Sequence, residues 1–170
     1  CGAELTEDWA GAFAHAQCHT QTATLYGTDQ ELDVSGGWHD AGDYGRYVPT
    51  GAKAVIDLML AYQINPDLFT DTIGIPESGN GIADILDEAR VELEWLLKMQ
   101  NGWGGVYDKV VTAQFPDFIK PDQDTAPLYV MQEMTTSAGD FVGAMALAYS
   151  VFKDVDADFA QRCLDAAKLS

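Results

Sequence analysis

The segment from Asp33 to Tyr47 constrains this chain more than any other part of its 170 residues. It reads Asp-Val-Ser-Gly-Gly-Trp-His-Asp-Ala-Gly-Asp-Tyr-Gly-Arg-Tyr. Asp40 and Asp43 lie close together in it, and the surrounding glycines allow backbone turns that other residues resist. Such a turn can direct both carboxylates into one cavity. Two carboxylates in one site repel each other, and such pairs are common in acid–base chemistry.

A structural interpretation of the same segment is also open. Asp and Gly are ordinary loop residues, and one aspartate could cap a helix that begins near Pro49. The segment also contains three aromatic residues, which favour a site facing a sugar: Trp38, Tyr44 and Tyr47.

Composition limits the function classes. The formal net charge of −18 disfavours strong binding to nucleic acid or to an anionic membrane, because the phosphates would be repelled. A neutral polysaccharide meets no such repulsion, and an acidic surface suits calcium. The hydrophobic content of 47% is typical of a soluble globular domain. No apolar run reaches the length of a membrane-spanning helix, and no signal-peptide pattern begins the chain.

Apolar residues at helical spacing predict four helices, approximately at residues 49–64, 82–100, 137–152 and 159–169. Pro49 suits a first helical turn, and Ser137 is predicted to cap the third helix, with Asp140 completing a capping box. No segment shows convincing strand alternation. The predicted fold class is therefore all-α, with long loops between the helices.

Cysteine and histidine residues near the N-terminus form a candidate metal site. Cys1, Cys18, His19 and His39 supply the donor types of a tetrahedral zinc site, although their spacing is not that of a zinc finger. A disulfide between Cys1 and Cys18 is the alternative. Four protein ligands would leave no open position on zinc, which favours a structural role. The third cysteine, Cys163, is predicted to be a buried apolar residue.

A second candidate metal site begins the second helix. Glu77, Asn80 and Asp84 could place oxygen ligands around one calcium ion, although their spacing is not that of an EF-hand. Simple capping is the alternative, with Asn80 as the N-cap and Asp84 near the positive end of the helix dipole.

The segment from Asp33 to Tyr47 closely resembles the signature of glycoside hydrolase family 9, the inverting cellulases, in the branch with a preceding immunoglobulin-like module. The resemblance implies an (α/α)6 barrel, of which residues 1–170 would be the N-terminal portion of the catalytic domain. The remaining helices, and the glutamate that acts as general acid, would lie beyond residue 170. The substrate would be a β-1,4-glucan, and the protein would be secreted.

The resemblance also implies roles for individual residues. Asp43 would be the general base, Asp40 would hold the attacking water, and Trp38, Tyr44 and Tyr47 are candidates for lining the cleft. It favours structural zinc at Cys1, Cys18, His19 and His39, and calcium at Glu77, Asn80 and Asp84, with no organic cofactor. Asp108 departs from the family, whose members often place a sugar-contacting histidine there.

Two alternatives to an enzyme remain at this point. The chain could be a non-catalytic helical module that binds carbohydrate or a metal, or an inactive truncation. The binding-module alternative predicts glucan binding without hydrolysis even when the missing residues are restored.

Overall fold

The computed structural model describes Glu4, Thr6 and residues 10–170. Its main α-helices are α1 (Val48–Ile64), α2 (Asp84–Lys98), α3 (Thr135–Phe152) and α4 (Ala157–Leu169). Helix α1 packs against α2 and α3, and α3 packs against α4. All four predicted helices are confirmed, and every boundary lies within two residues of its predicted position.

The helices bury one face each in a shared core. Buried positions recur at three- and four-residue intervals because that spacing returns a side chain to the same side of a helix. Burying a large apolar side chain contributes about 1.5–3 kcal/mol, so this layer supplies most of the stability of the fold. The buried apolar residues of the first three helices include Val55, Met59, Leu86, Leu93, Leu96, Phe141 and Met145.

The start of α1 agrees with prediction and the start of α3 differs from it. Pro49 lies in the first turn of α1, as expected. The prediction that Ser137 caps α3 is wrong, because the N-cap position is Met134 and Ser137 lies inside the helix. The Ser137 hydroxyl is buried and donates to Asp108 Oδ1 at 2.9 Å. Ser137 therefore serves as a hydrogen-bond donor inside the fold, although its position in the sequence resembles that of a helix cap.

A small five-stranded sheet lies beside the helices and was not predicted. Its strands are β1 (Ala23–Leu25), β2 (Glu31–Leu32), β3 (Arg46–Tyr47), β4 (Lys109–Thr112) and β5 (Leu128–Val130), in the order β2-β1-β5-β4-β3. All neighbours are antiparallel except β1 and β5. Strands of two to four residues are too short to show the alternation on which strand prediction depends.

The sheet fixes the position of the Asp33–Tyr47 segment. That segment ends in β3, where Tyr47 pairs with Lys109 of β4, and α1 follows directly. Gly51 in the first turns of α1 approaches the Glu92 side chain of α2. The segment leads directly into α1 and contacts α2 at Gly37, which lies against the Trp95 side chain. Within the described residues, no helix is both long and apolar enough to cross a membrane.

Candidate active site and metal clusters

The two predicted catalytic carboxylates lie on a closed loop between Asp40 and Gly45. The backbone nitrogen of Asp40 donates to the Gly45 carbonyl at 2.9 Å, and that of Tyr44 donates to the Ala41 carbonyl at 3.1 Å. Tyr44 has a φ of 54°, in the left-handed region that most side chains avoid. The Asp40 side chain is exposed and that of Asp43 is half-buried, so both can be reached from solvent.

Both oxygens of the Asp43 carboxylate accept a hydrogen bond from the protein. Oδ1 accepts from the Gly45 backbone nitrogen at 3.1 Å, and Oδ2 accepts from the Tyr47 hydroxyl at 2.8 Å. Burial, the hydrogen bond to Asp43 and the charges of Asp43, Asp40 and Asp108 raise the pKa of Tyr47 to about 12. Tyr47 therefore stays protonated as a donor at neutral pH. Each carboxylate oxygen has a further lone pair for a water molecule.

Arg46 supports the loop from below. Its guanidinium is buried, and one nitrogen donates to the carbonyls of Val34 at 2.6 Å and Gly36 at 2.7 Å. Burial lowers its pKa to about 10, which still leaves it charged at neutral pH. Arg46 therefore holds the end of the segment to its start through the backbone carbonyls of Val34 and Gly36.

Two glutamates of α2 hold Trp38. The Trp38 backbone nitrogen donates to Glu92 Oε2 at 2.7 Å, and its indole nitrogen donates to Glu88 Oε1 at 2.7 Å. Glu92 is only 1% exposed, and burial raises its pKa to about 7. The sequence analysis missed both residues. The available signal for Glu92 was its position on the apolar face of the helix, which Ala89, Leu93 and Leu96 form.

Tyr44 connects the catalytic loop to the histidines. Its ring centroid lies 5.0 Å from that of His39 and 5.9 Å from that of His19, and its hydroxyl donates to the Ile119 carbonyl. The polar groups of Trp38, Tyr44 and Tyr47 are thus all hydrogen-bonded within the protein. Their half-buried rings remain the parts available to a ligand.

Three of the four predicted zinc ligands come together. Donor atoms of Cys18, His19 and His39 lie within 4.8 Å of one another, and Cys1 lies outside the described residues. His39 Nε2 is 3.1 Å from His19 Nδ1. Two nitrogens bound to one tetrahedral zinc are about 3.3 Å apart for ordinary zinc–nitrogen bond lengths. Burial lowers the pKa of His39, which favours the neutral imidazole that a metal requires. This cluster fits zinc.

The second cluster differs in membership from the predicted calcium ligands. Asp71, Asp84 and Asp87 bring their carboxylates within 4.8 Å of one another. Asn80 lies beside them and donates to Asp87 Oδ1 at 3.1 Å, and Glu77 is exposed but near enough for its charge to raise the pKa of Asp87, secondary to burial. The sequence analysis singled out neither Asp71, which precedes Glu77, nor Asp87, which lies one helical turn after Asp84.

The polar atoms of this second cluster are incompletely paired within the described residues. Asp84 Oδ1 and Asp87 Oδ2 are buried without a hydrogen-bond partner, which is costly for a carboxylate. Asp71 accepts from the backbone nitrogens of Gly79 at 2.5 Å and Gly81 at 2.7 Å, so the loop already wraps around the cluster. Oxygen donors of this kind fit calcium. The N-cap of α2 is Ala83, so the expectation that Asn80 fills that position is wrong, whereas Asp84 begins the helix as expected.

Known proteins similar to this chain are carbohydrate-degrading enzymes. The model of glycosyl hydrolase family 9 matches residues 1–170. A cellodextrinase of Butyrivibrio fibrisolvens is 39% identical over all of this chain, which spans 32% of that protein. Among solved structures, a thermostable endoglucanase mutant from Alicyclobacillus acidocaldarius superposes with a TM-score of 0.94 at 40% identity, over 99% of this chain and 33% of that one.

A second structure is described as a Zn-binding triple mutant of the family 9 endoglucanase J30. It gives a TM-score of 0.91 at 39% identity, over 99% of this chain and 34% of that one. The chain therefore spans about a third of the length of the proteins it matches. The similar structures are (α/α)6 barrels, which confirms the predicted fold class. By the match of the family model and these identities, the chain belongs to glycosyl hydrolase family 9.

Proposed function

We propose that this chain carries the water-activating half of an inverting β-1,4-glucan hydrolase, with Asp43 as the general base. The observation that carries the proposal is the fixed carboxylate of Asp43, held by the Gly45 nitrogen and the Tyr47 hydroxyl on a solvent-accessible loop. A carboxylate held by two hydrogen-bond donors keeps the orientation in which it accepts a proton from water. The nearby exposed carboxylate of Asp40 supplies a second acceptor for the same water.

The reaction follows from these positions. Asp43 takes one proton from water while the oxygen of that water bonds to the anomeric carbon, and the glycosidic bond breaks on the opposite face of the sugar. The leaving oxygen needs a proton from a general acid about 6.5–9.5 Å away from the base. We propose that sequence outside these 170 residues supplies that acid and completes the barrel, so that residues 1–170 form the N-terminal portion of the catalytic domain.

A neutral glucan is the substrate class that best suits the chain. The relatives are described as a cellodextrinase and an endoglucanase. A net charge of −18 does not repel an uncharged polymer, and the half-buried rings of Trp38, Tyr44 and Tyr47 can stack against the apolar faces of pyranose rings. Because long glucans cannot enter a cell, we propose that the enzyme acts after secretion.

We propose structural roles for two metals. Zinc would be held by Cys18, His19 and His39, with Cys1 as the fourth ligand. A similar endoglucanase mutant is described as Zn-binding. Calcium would be held by Asp71, Asp84 and Asp87, with the nearby side chains of Asn80 and Glu77 around the ion. Bound zinc would tie the N-terminal segment to His39, the residue before Asp40. Hydrolysis uses water as its second reactant, so no organic cofactor is proposed.

The test uses the complete enzyme that contains this chain. Asp43→Asn keeps the shape of the side chain but removes the base, and kcat should fall by about 10²–10⁴-fold. Asp57→Asn is the matched control, because Asp57 is exposed on α1 and forms an ion pair with the exposed Lys53. Proton NMR of the first product formed should show the α-anomer, since a β-linkage is cleaved with inversion.

Two results would contradict the proposal. An Asp43→Asn enzyme with nearly unchanged kcat would exclude Asp43 as the base, and a β-anomer as first product would exclude the inverting mechanism. If the unmodified complete enzyme bound glucan but released no reducing sugar, the chain would belong to a non-catalytic binding protein.

A further inference from the structure

The His19 ring lies between two polar neighbours, one on each nitrogen. Nδ1 is 3.1 Å from Nε2 of His39, inside the zinc cluster, and Nε2 is 3.4 Å from Oδ2 of Asp124. The side chains of His19 and Asp124 are 1% and 5% exposed. They are 105 residues apart in sequence, so only the fold brings them together.

The contact with Asp124 determines which His19 nitrogen carries the proton. An ionised carboxylate only accepts hydrogen bonds, so the neutral ring facing it carries its proton on Nε2. The lone pair is then on Nδ1, the nitrogen that faces His39. We infer that Asp124 is a positioning residue of the metal cluster, which holds His19 in the tautomer that binds zinc through Nδ1 while His39 binds through Nε2.

Asp124 is itself held in place. Its Oδ1 accepts from the backbone nitrogen of Ala126 at 3.2 Å, and its own backbone nitrogen donates to the Pro121 carbonyl at 3.4 Å. One oxygen of its carboxylate and its own backbone nitrogen are therefore both held by neighbouring residues of the chain. Metal-binding histidines commonly donate their other ring nitrogen to such a group, which fixes the ring and strengthens the ligand.

The arrangement also connects the metal cluster to the catalytic loop. Asp124 follows Ile119 in the same loop region, and the Ile119 carbonyl accepts a hydrogen bond from the Tyr44 hydroxyl. Tyr44 in turn follows Asp43 directly. His39 precedes Asp40 on the other side of that loop. The loop that carries Asp40 and Asp43 is therefore connected to the metal cluster at both ends. His39 precedes it, and Tyr44 bonds the stretch of chain that leads to Asp124.

This inference rests on the proposed zinc site and is tested by metal affinity rather than by hydrolysis. The dissociation constant of zinc is measured by competition with a chromophoric chelator for the full 170-residue chain. Asp124→Ala should weaken zinc binding by about 10–100-fold. Asp124→Asn keeps an acceptor oxygen and should lose less zinc affinity than Asp124→Ala. Asp122→Asn is the control, because it removes one nearby negative charge from a residue whose buried Oδ1 has no hydrogen-bond partner within the described part of the chain.

Nitrogen-15 NMR of the zinc-loaded chain gives a second measurement. The unmodified chain should show one imidazole bound through Nδ1 and one bound through Nε2. Equal zinc affinity in the Asp124 and Asp122 variants, or two histidines that both bind through Nε2, would overturn the inference. If Asp124→Ala fails to fold, Asp124→Asn decides by the same comparison.

The same experiment separates this inference from the proposals on which it depends. An unmodified chain without measurable zinc affinity would overturn both the zinc site and the role of Asp124, and would leave the assignment of Asp43 untouched. Zinc affinity that is unchanged when Asp124 is substituted would overturn only the role of Asp124.

Discussion

The Glu92 carboxylate accepts a hydrogen bond at 2.7 Å from the backbone nitrogen of Trp38, two residues before Asp40. Burial raises the pKa of Glu92 to about 7 from its ordinary value of 4.5. The folded protein thus holds a proton on Glu92 over a pH range in which the unfolded chain releases it. Among the described residues, the Trp38 hydrogen bond and the charge of Arg46 oppose this shift in pKa, and the charge of Glu88 adds to it.

This shift predicts a pH-dependent stability. Because the folded-state pKa lies above the unfolded one, the contribution of Glu92 is fully present below the unfolded value and is lost as pH rises through about 7. Between pH 5 and pH 8 the loss is about 2–3 kcal/mol. Glu92→Gln cannot ionise and keeps an oxygen for the Trp38 nitrogen. Urea unfolding at both pH values should therefore show a smaller fall for Glu92→Gln than for the unmodified chain.

The difference between the two pH profiles isolates Glu92, because every other carboxylate is common to both proteins. Parallel profiles would show that Glu92 ionises in the folded protein as it does in the unfolded chain. Glu88→Gln serves as the control, since Glu88 is exposed and also bonds Trp38.

Gly51 permits the close approach of α1 to α2. A Cβ atom added there would lie 2.0 Å from Glu92 Oε1, far inside van der Waals contact. Gly51→Ala should therefore lower the free energy of unfolding by about 1–3 kcal/mol, as overpacked core substitutions do. Gly139→Ala in α3 is the matched control, because nothing lies within 4 Å of its added Cβ atom. That control should be neutral or stabilising by up to about 1 kcal/mol; equal effects at both glycines would refute the packing explanation.

Tyr47 is expected to support the proposed base through its hydroxyl. Tyr47→Phe removes the donor to Asp43 Oδ2 and leaves the ring in place. A hydrogen bond to a charged group is worth about 1.5–3 kcal/mol, so kcat of the complete enzyme should fall by about 10–100-fold. Steady-state kinetics on a soluble β-1,4-glucan measure this. Tyr26→Phe, at an exposed residue far from the loop, should retain normal activity, and an equal loss in both variants would indicate a general effect on folding.

Calcium is expected to stabilise the protein through the acidic cluster of Asp71, Asp84 and Asp87. At a calcium concentration 100 times the dissociation constant, the gain is about 2.7 kcal/mol. Asp87→Asn removes the charge of a carboxylate with a buried, unpartnered oxygen, and should abolish most of that gain. Thermal unfolding with calcium or with EDTA measures it. Asp67→Asn, at an exposed residue of the same loop region, should keep the full response.

The sequence by itself determined the helical framework. Apolar residues at helical spacing located the four helices, because a long helix repeats its pattern often enough to be recognised. It also located the segment with Asp40 and Asp43, since that run of residue types is long and specific. Cys18, His19 and His39 were grouped correctly because their chemistry suggests one metal site regardless of spacing.

Only the tertiary structure decided which distant residues complete these groups. Glu92, Asp124 and Asp71 reach their partners across helices or loops, and no periodic pattern encodes such a contact. The short sheet formed for the same reason, because its strands are defined by their neighbours rather than by their own alternation. Local sequence sets local conformation, whereas burial and the pairing of polar groups depend on the whole fold.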